Sequence, residues 1–277
     1  MAVGKSKPKT PKKKHNRTKA IVREIKDRVI DHLGVYFDLF NHLSKDETFW
    51  FRGHGDIEWP LIPSALRYKT ENERNKALQL ISDFKRYADM KLDRPPAAND
   101  ELKWIQLARH YGLPTRLLDW TRNAAVALYF ACCEEPQQDG AVYILNPIEL
   151  NRKINVRAPR VYDPNLDEEF IKIYLGLNGK INTRGTGTIS INPTWNSPRI
   201  IVQQGVFTIA GSKYFTLTTK EASSLAYVKI EKQYKNNLLM ELERVGINEM
   251  SIFPELEHMC NYLKWREKLN MKDNNND

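Results

Sequence analysis

An arginine followed by two glycines ends an apolar, aromatic segment near the start of the chain. Residues 48–52, Thr-Phe-Trp-Phe-Arg, predict a short strand, and Gly53 and Gly55 predict a tight turn after it. Arg52 would then hold a permanent positive charge beside exposed backbone amides, which suits a phosphate, a pyrophosphate or a carboxylate. An ion pair with a local acidic residue is an equally good interpretation of this arginine.

A second cluster of polar residues lies between two predicted helices, in the segment 108–122. Its members are His110, Tyr111, Thr115, Arg116, Asp119, Trp120 and Thr121. The segment is short, so these side chains should converge on a small volume, and loops held by rigid elements often carry function. His110 can titrate near neutral pH and Arg116 can bind an anion. Asp119 can act as a base, accept a hydrogen bond from a ribose hydroxyl, or, like Thr121, cap the next helix.

A third cluster follows Arg199 in a segment that we interpret as a strand over residues 200–208. Gln203 and Gln204 place two amides beside Gly205, where backbone can approach a ligand. The alternative is a sheet edge with a bulge at the glycine.

Several classes of function find no support in the sequence. There is no GxxxxGK[ST] or GxGxxG motif for a nucleotide loop, no GxSxG elbow, and no Cys/His spacing typical of zinc. We therefore expect no bound metal and no tightly bound cofactor. Cys132 and Cys133 lie in an apolar helical segment and are expected to be inert core thiols.

The net charge of +9 is concentrated at the start of the chain. Residues 1–19 contain eight lysines and arginines and no acid, so the rest is close to neutral. We predict that this basic segment is disordered and either binds nucleic acid by counterion release or is only a solubilising leader. Three cysteines, no secretory signal and no long apolar run favour a cytoplasmic protein without a membrane span.

The pattern of apolar residues predicts interleaved helices and strands without regular βαβ alternation. This favours an α+β fold, a single domain with a small mixed or antiparallel sheet and surrounding helices. Residues 148–198 have a weak pattern and are interpreted as an irregular insertion. The predicted helices are a long one from residue 20, then 71–92, 101–111, one after Thr121 that contains Val126 to Phe130, 232–245 and 256–268. The further predicted strands are 140–146, 214–219 and 227–231.

The three clusters together resemble the FRG domain, a family named for its Phe-Arg-Gly motif. That motif is Phe51-Arg52-Gly53 here, and the central signature is His-Tyr-Gly-Leu-Pro-Thr-Arg-Leu-Leu-Asp-Trp-Thr at 110–121. A later signature corresponds to Arg199-Ile200 with Gln-Gln-Gly-Val-Phe at 203–207, and a closing pattern runs to Phe-Pro-Glu-Leu at 253–256. The resemblance implies an FRG domain over 20–272, with 148–198 as a variable insertion and a disordered end at 273–277.

The family resemblance also implies a function. FRG proteins are linked to toxin-like and anti-phage defence systems, and the arginine cluster is similar to that of ADP-ribosyltransferases, which use NAD as a co-substrate. In that reading Arg52, Gly53 and Arg116 hold the phosphates, and Trp120 or Phe207 stacks on nicotinamide. The carboxylate near the ribose would be Asp119 or Glu249. No Gln-x-Glu or Glu-x-Glu pair, the usual pattern of these transferases, lies near the expected last strands. The other candidate site residues are His110, Thr115, Thr121 and Gln203.

Three hypotheses for the function therefore stay open. The first is an enzyme that transfers or releases ADP-ribose, for which a partner or antitoxin is expected because free consumption of NAD would harm the cell. The second is a non-catalytic module that binds a nucleotide or nucleic acid and triggers a partner protein. The third is a hydrolase or nuclease with His110 and Asp119 as its acid and base.

Overall fold

In the residues that the structure describes, one six-stranded antiparallel sheet has helices packed against it, which is the predicted α+β fold. The computed structural model describes residues 28–43, 46–175, 187–194, 197–211, 217 and 224–273. The predicted basic segment 1–19 and residues 274–277 lie outside this part of the chain. The strands are β1 (Trp50–His54), β2 (Leu117–Thr121), β3 (Gly140–Leu145), β4 (Ile189–Ile191), β5 (Gly205–Ile209) and β6 (Leu225–Ile230).

The helices of the described residues vary widely in length. The longest two, α2 and α10, each have 18 residues. The α-helices are α1 (Leu33–Asp38), α2 (Glu71–Ala88), α3 (Glu101–His110), α4 (Ala124–Cys133), α5 (Pro147–Arg152), α6 (Glu168–Leu175), α7 (Pro198–Val202), α8 (Lys232–Arg244), α9 (Glu249–Ile252) and α10 (Leu256–Asp273). Short 3₁₀ helices span Leu39–His42, Ser64–Leu66 and Asp89–Lys91. In this described part no helix is long and apolar enough to cross a membrane.

The order of the strands places β2 and β1 at the centre of the sheet. Across the sheet the order is β4-β5-β2-β1-β3-β6. Strand β1 pairs with β3 over its whole length, and β2 pairs with β5 in the same way. By contrast, β1 and β2 pair through one couple of residues, Phe51 and Thr121. The ladder between the two central strands is therefore interrupted beside Arg52 and Asp119.

The core lies on both faces of the sheet. On one face α1, α4 and α8 pack against Phe51 and the neighbouring strands, with Leu128 and Leu238 fully buried. On the other face Trp50 packs with Trp120 and residues of β3 and β6. The alternation of Trp50 and Phe51 between these two clusters is the period of two expected of a strand with both faces covered.

Glycine is required at position 53 by the close approach of α4. A Cβ atom on Gly53 would lie 2.0 Å from the carbonyl oxygen of Ala127 and 2.6 Å from the amide nitrogen of Ala131. We predicted a turn at this glycine, but Gly53 is inside β1. Its missing side chain lets a helix pack directly on the central strand.

Several predictions about local structure are wrong. Asp119 and Thr121 are strand residues, and Asn123 caps α4 by accepting from the amide of Ala125. The segment 200–208 is not one strand: α7 ends at Val202, and Gln204 adopts a positive φ of 50° before β5. Ser197 and Pro198 are typical of the start of a helix. This preference is stronger here than the strand preference of the β-branched residues that follow.

The weakly patterned segment 148–198 is not irregular throughout. It contains most of α5, all of α6 and the edge strand β4. The weak pattern arises because these elements are short. The long helix predicted from residue 20 falls partly outside the described residues, and what is described there is α1 and a 3₁₀ turn. Most of the predicted strand 214–219 also lies outside them, although Leu217 forms a bridge with Leu61.

Candidate functional site

A cavity of about 710 Å³ opens at the interruption between β1 and β2. This volume is in the range of small-molecule sites. Its charged lining residues are Arg52, Arg67, Arg109, Arg199, Asp119 and Glu134; its aromatic lining residues are Phe51, Trp59, Trp120, Phe130, Phe207 and Phe253. Four guanidiniums against two carboxylates give the wall an excess of positive charge.

Arg52 crosses the gap between the two central strands. Its Nη1 donates to the backbone carbonyl of Asp119 over 2.8 Å, at a place where the sheet ladder is missing. Its Nε donates to Nε2 of His54 over 2.9 Å. Burial lowers the pKa of Arg52 to about 10, with Asp119 acting in the opposite direction, so the guanidinium stays charged at neutral pH.

His54 is a neutral partner of this arginine. Because Nε2 accepts from Arg52, the ring proton sits on Nδ1, which is 3.2 Å from the carbonyl oxygen of Trp59. Burial, together with the charge of Arg52, lowers the pKa of His54 to about 3. The side chain is 3% exposed and packs edge-on against Tyr143. His54 therefore orients Arg52 without adding charge.

Asp119 is held by a two-pronged ion pair with Arg109. Nε and Nη2 of Arg109 donate to the two carboxylate oxygens, and Nη1 of Arg52 lies 3.8 Å from Oδ2. Burial alone would raise the pKa of Asp119, but the attraction of the two arginines is larger and lowers it. The side chain is still 46% exposed, so an ionised carboxylate faces the cavity.

The C-terminal part of the chain closes another side of the cavity through Phe253. The guanidinium of Arg199 lies 4.9 Å from the centre of this ring, and His258 stacks on it at 4.1 Å. Arg199 is also paired with Glu255, at 3.0 Å. His110 is 3.8 Å from the same carboxylate, but burial and Arg199 lower its pKa, so it is mostly neutral at pH 7.

The cavity brings together most of the site residues that the sequence predicted. Arg52, Gly53, His110, Asp119, Trp120, Thr121, Gln203 and Phe207 all line it. Trp120 and Phe207 are almost fully buried, and the indole of Trp120 donates to Thr208 over 3.1 Å. Phe207 is distant from Asp119 in sequence but lies opposite it in the β2–β5 ladder. This pairing places both residues in the same wall of the cavity.

Three of the predicted site residues are not in the cavity wall. Arg116 is 3% exposed and donates to the carbonyl of Ala210, and two of its nitrogens have no hydrogen-bond partner among the described residues. Thr115 is buried under Arg109 and caps the amide of Leu117. Glu249 begins α9 and binds His258 over 2.7 Å. Arg52 and Asp119 therefore lie in the same cleft, and Arg116 lies outside it.

Sequence reasoning missed four charged residues of this cavity as site residues. Arg109 is one residue before the predicted His110, at the end of α3, and Gly112 with a φ of 84° turns the chain back toward β2. Arg67 follows the Pro-Ser-Ala-Leu segment, and Glu134 follows the two cysteines of α4. Arg199 was identified as part of a family motif but was not assigned to the site.

Metal-binding clusters are not found in the described part of the chain, where no three His, Cys, Asp or Glu side chains come together as a ligand set. Cys132 is buried as expected, whereas Cys133 is exposed. Burial raises the pKa of the Cys132 thiol, consistent with an unreactive group.

The fold and the site together define an α+β domain with an arginine-rich cavity between its two central strands. Residues 47–140 match the family model of the FRG domain, so the chain contains an FRG domain over this segment. The match covers β1, β2 and α4, with Arg52, Arg109, Asp119 and Glu134, and it ends where β3 begins. Neither a curated protein nor a solved structure shows significant similarity to the chain.

Proposed function

We propose that the cavity binds NAD and breaks its bond between nicotinamide and ribose, releasing or transferring ADP-ribose. The observation that carries this proposal is the meeting of several arginines and one ionised carboxylate in a cavity with aromatic walls. Such a site matches a ligand that has two phosphates, two aromatic bases and a sugar carbon that becomes positive during reaction.

The arginines supply the attraction for the pyrophosphate. Arg67 uses Nε for the carbonyl of Ile62, and its terminal nitrogens have no bond within the described residues. Arg52 likewise keeps Nη2 for a ligand, since Nε and Nη1 are bonded to protein. Planar guanidiniums bind phosphate oxygens in pairs, and a partly buried site strengthens these bonds.

Asp119 supports the bond-breaking step. As the bond from the ribose to nicotinamide breaks, positive charge develops on the ribose carbon and ring oxygen. A fixed carboxylate in the wall stabilises this charge without having to reorganise. Because its pKa is lowered by Arg109 and Arg52, Asp119 is ionised and is a poor proton acceptor. Its role is electrostatic.

The test combines binding and product analysis on the full chain. NAD and ADP-ribose are titrated by calorimetry, and nicotinamide release is followed by chromatography. Replacing Arg67 by alanine removes one charge-assisted contact, worth about 1.5–3 kcal/mol, so the Kd should rise roughly tenfold or more. Arg86→Ala is the control, because Arg86 is an exposed arginine of α2 paired with Asp83.

The outcomes separate the proposal from its alternative. Wild-type protein that binds neither NAD nor ADP-ribose, or an Arg67 variant that binds as well as the Arg86 variant, refutes nucleotide binding in this cavity. Binding without release of nicotinamide, with any candidate protein or nucleic acid as acceptor, supports the non-catalytic module instead. A toxin-like or anti-phage role, which the family resemblance implies, stays a prediction, as do a protein partner and nucleic-acid binding by residues 1–19.

A further inference from the structure

Glu134 is a second carboxylate in the cavity wall, and it comes from a different element. It follows the last residue of α4, with an extended backbone that turns the chain away from the helix. Its side chain lies close to Gly55, where a Cβ atom would approach the Glu134 Cβ to 2.6 Å. The end of β1 therefore leaves room for this side chain beside Arg52.

A buried lysine fixes the backbone at Glu134. The ammonium of Lys235, on α8, donates to the carbonyls of Gly55, Glu134 and Glu135 at 2.6, 3.0 and 2.9 Å. An ammonium has three hydrogens, and all three are used. This residue is 2% exposed, so the bonds are shielded from water. The end of β1 and the end of α4 are thus joined at one point directly beneath the cavity wall.

The two carboxylates of the cavity differ in their electrostatic surroundings. Asp119 is held by two guanidiniums, whereas no ion pair or hydrogen bond to the Glu134 carboxylate is found among the described residues. Partial loss of solvent raises the pKa of Glu134, although Arg52 acts in the opposite direction. Two carboxyl groups with opposite shifts in one site are typical of a division between charge stabilisation and proton transfer.

We propose that Glu134 is the general base that activates the nucleophile in the reaction of NAD, with Asp119 as the electrostatic partner. This inference rests on the proposed function. The bond between ribose and nicotinamide breaks, and its electron pair stays on the nicotinamide nitrogen. The oxygen of water, or of an acceptor hydroxyl, forms the new bond to the ribose carbon, and its proton passes to the Glu134 carboxylate and then to solvent.

The experiment uses azide, a nucleophile that carries no proton to remove. Glu134→Ala in the full chain should slow release of nicotinamide into water by about 10²–10⁴-fold, the usual contribution of a positioned base. Sodium azide should restore release in this variant and give ADP-ribosyl azide as a new product, while the Kd for NAD changes little. A residue that only supports the fold would not be bypassed in this way.

Glu135→Ala is the matched control. Glu135 carries the same charge, its carbonyl is bound by the same lysine, and it is not part of the cavity wall. It should keep the wild-type rate. A Glu134 variant as fast as the control, or a slow one that azide does not restore, overturns the role of Glu134 while leaving NAD cleavage by the wild type intact. Absence of cleavage by wild-type protein refutes the proposed function itself, and this role with it.

Discussion

Replacing Asp119 by asparagine should separate the binding of NAD from its cleavage. The amide keeps the size of the carboxylate and removes one negative charge between Arg109 and Arg52. Breaking the ion pair costs stability, but the side chain is 46% exposed and solvent screens the pair. We therefore expect a loss of about 1–2 kcal/mol in the free energy of unfolding, below the range for buried pairs.

The effect on the chemical step should be larger than the effect on stability. A unit charge about 4 Å from the developing positive charge contributes about 4 kcal/mol at an effective dielectric constant of about 20. Arg109 neutralises part of this, so nicotinamide release should slow by roughly a hundredfold, or about 2.7 kcal/mol. Binding of ADP-ribose should tighten severalfold, because the variant cavity gains one unit of positive charge.

The assay is single-turnover release of nicotinamide beside calorimetric titration with ADP-ribose. Asp83→Asn is the control, since Asp83 is an acidic residue of α2 that pairs with Arg86 and is not part of the cavity wall. If Asp119→Asn lowers the affinity and the rate of release at subsaturating NAD by the same factor, Asp119 contributes to ground-state binding and the reasoning is refuted. An unchanged rate refutes it equally.

Two further predictions concern stability. Since burial lowers the pKa of His54 from 6.5 to about 3, the unfolded chain binds a proton between these values that the folded chain does not. Stability should therefore fall as the pH falls below about 6.5, by up to about 1.4 kcal/mol per pH unit from this group. Urea unfolding at about pH 7 and pH 5 should show a smaller difference for His54→Gln, and equal differences would contradict the assignment. Gly53→Ala should destabilise the protein by about 1–3 kcal/mol or more, because its Cβ would meet the backbone of α4. In the same denaturation assay Gly187→Ala, whose Cβ would make an ordinary 3.6 Å contact, should be close to neutral, and similar losses in both would argue against close packing at position 53.

Part of the fold could be predicted because β1 and β3 have clear strand patterns, whereas the central strand β2 was not recognised. Val142 and Ile144 belong to a run without charges, and β1 is too short and aromatic to be a helix. The prediction failed where two signals competed. Residues 198–209 begin with a proline that favours the start of a helix, but they are also rich in β-branched residues, which favour a strand. A turn at Gln204 separates the helix from the strand. Neither the helical nor the strand periodicity of apolar residues can indicate such a turn.

The site was only partly predictable for a physical reason. Arg52 was found because it ends an apolar segment and is followed by two glycines, and Asp119 because it lies in a segment with several polar residues. Arg116 lies in the same polar segment as Asp119, one residue before β2. Its side chain is buried in the core and does not reach the cavity. Arg109 and Glu134 stand at helix ends, where charged residues are common for solvation alone. Their place in the cavity wall depends on which strand the helix end meets, and this is set by tertiary packing.

The position of β4 at the border of the sheet has a consequence for how this domain can diversify. The long stretch between Arg152 and Ile189 connects to the rest of the sheet through this outermost strand. Lengthening or shortening it adds little closure entropy and leaves the spacing of the two innermost strands untouched. A change in the length of this stretch would therefore leave the arginines and carboxylates of the cavity wall in place, because none of the described residues that line the cavity belongs to it.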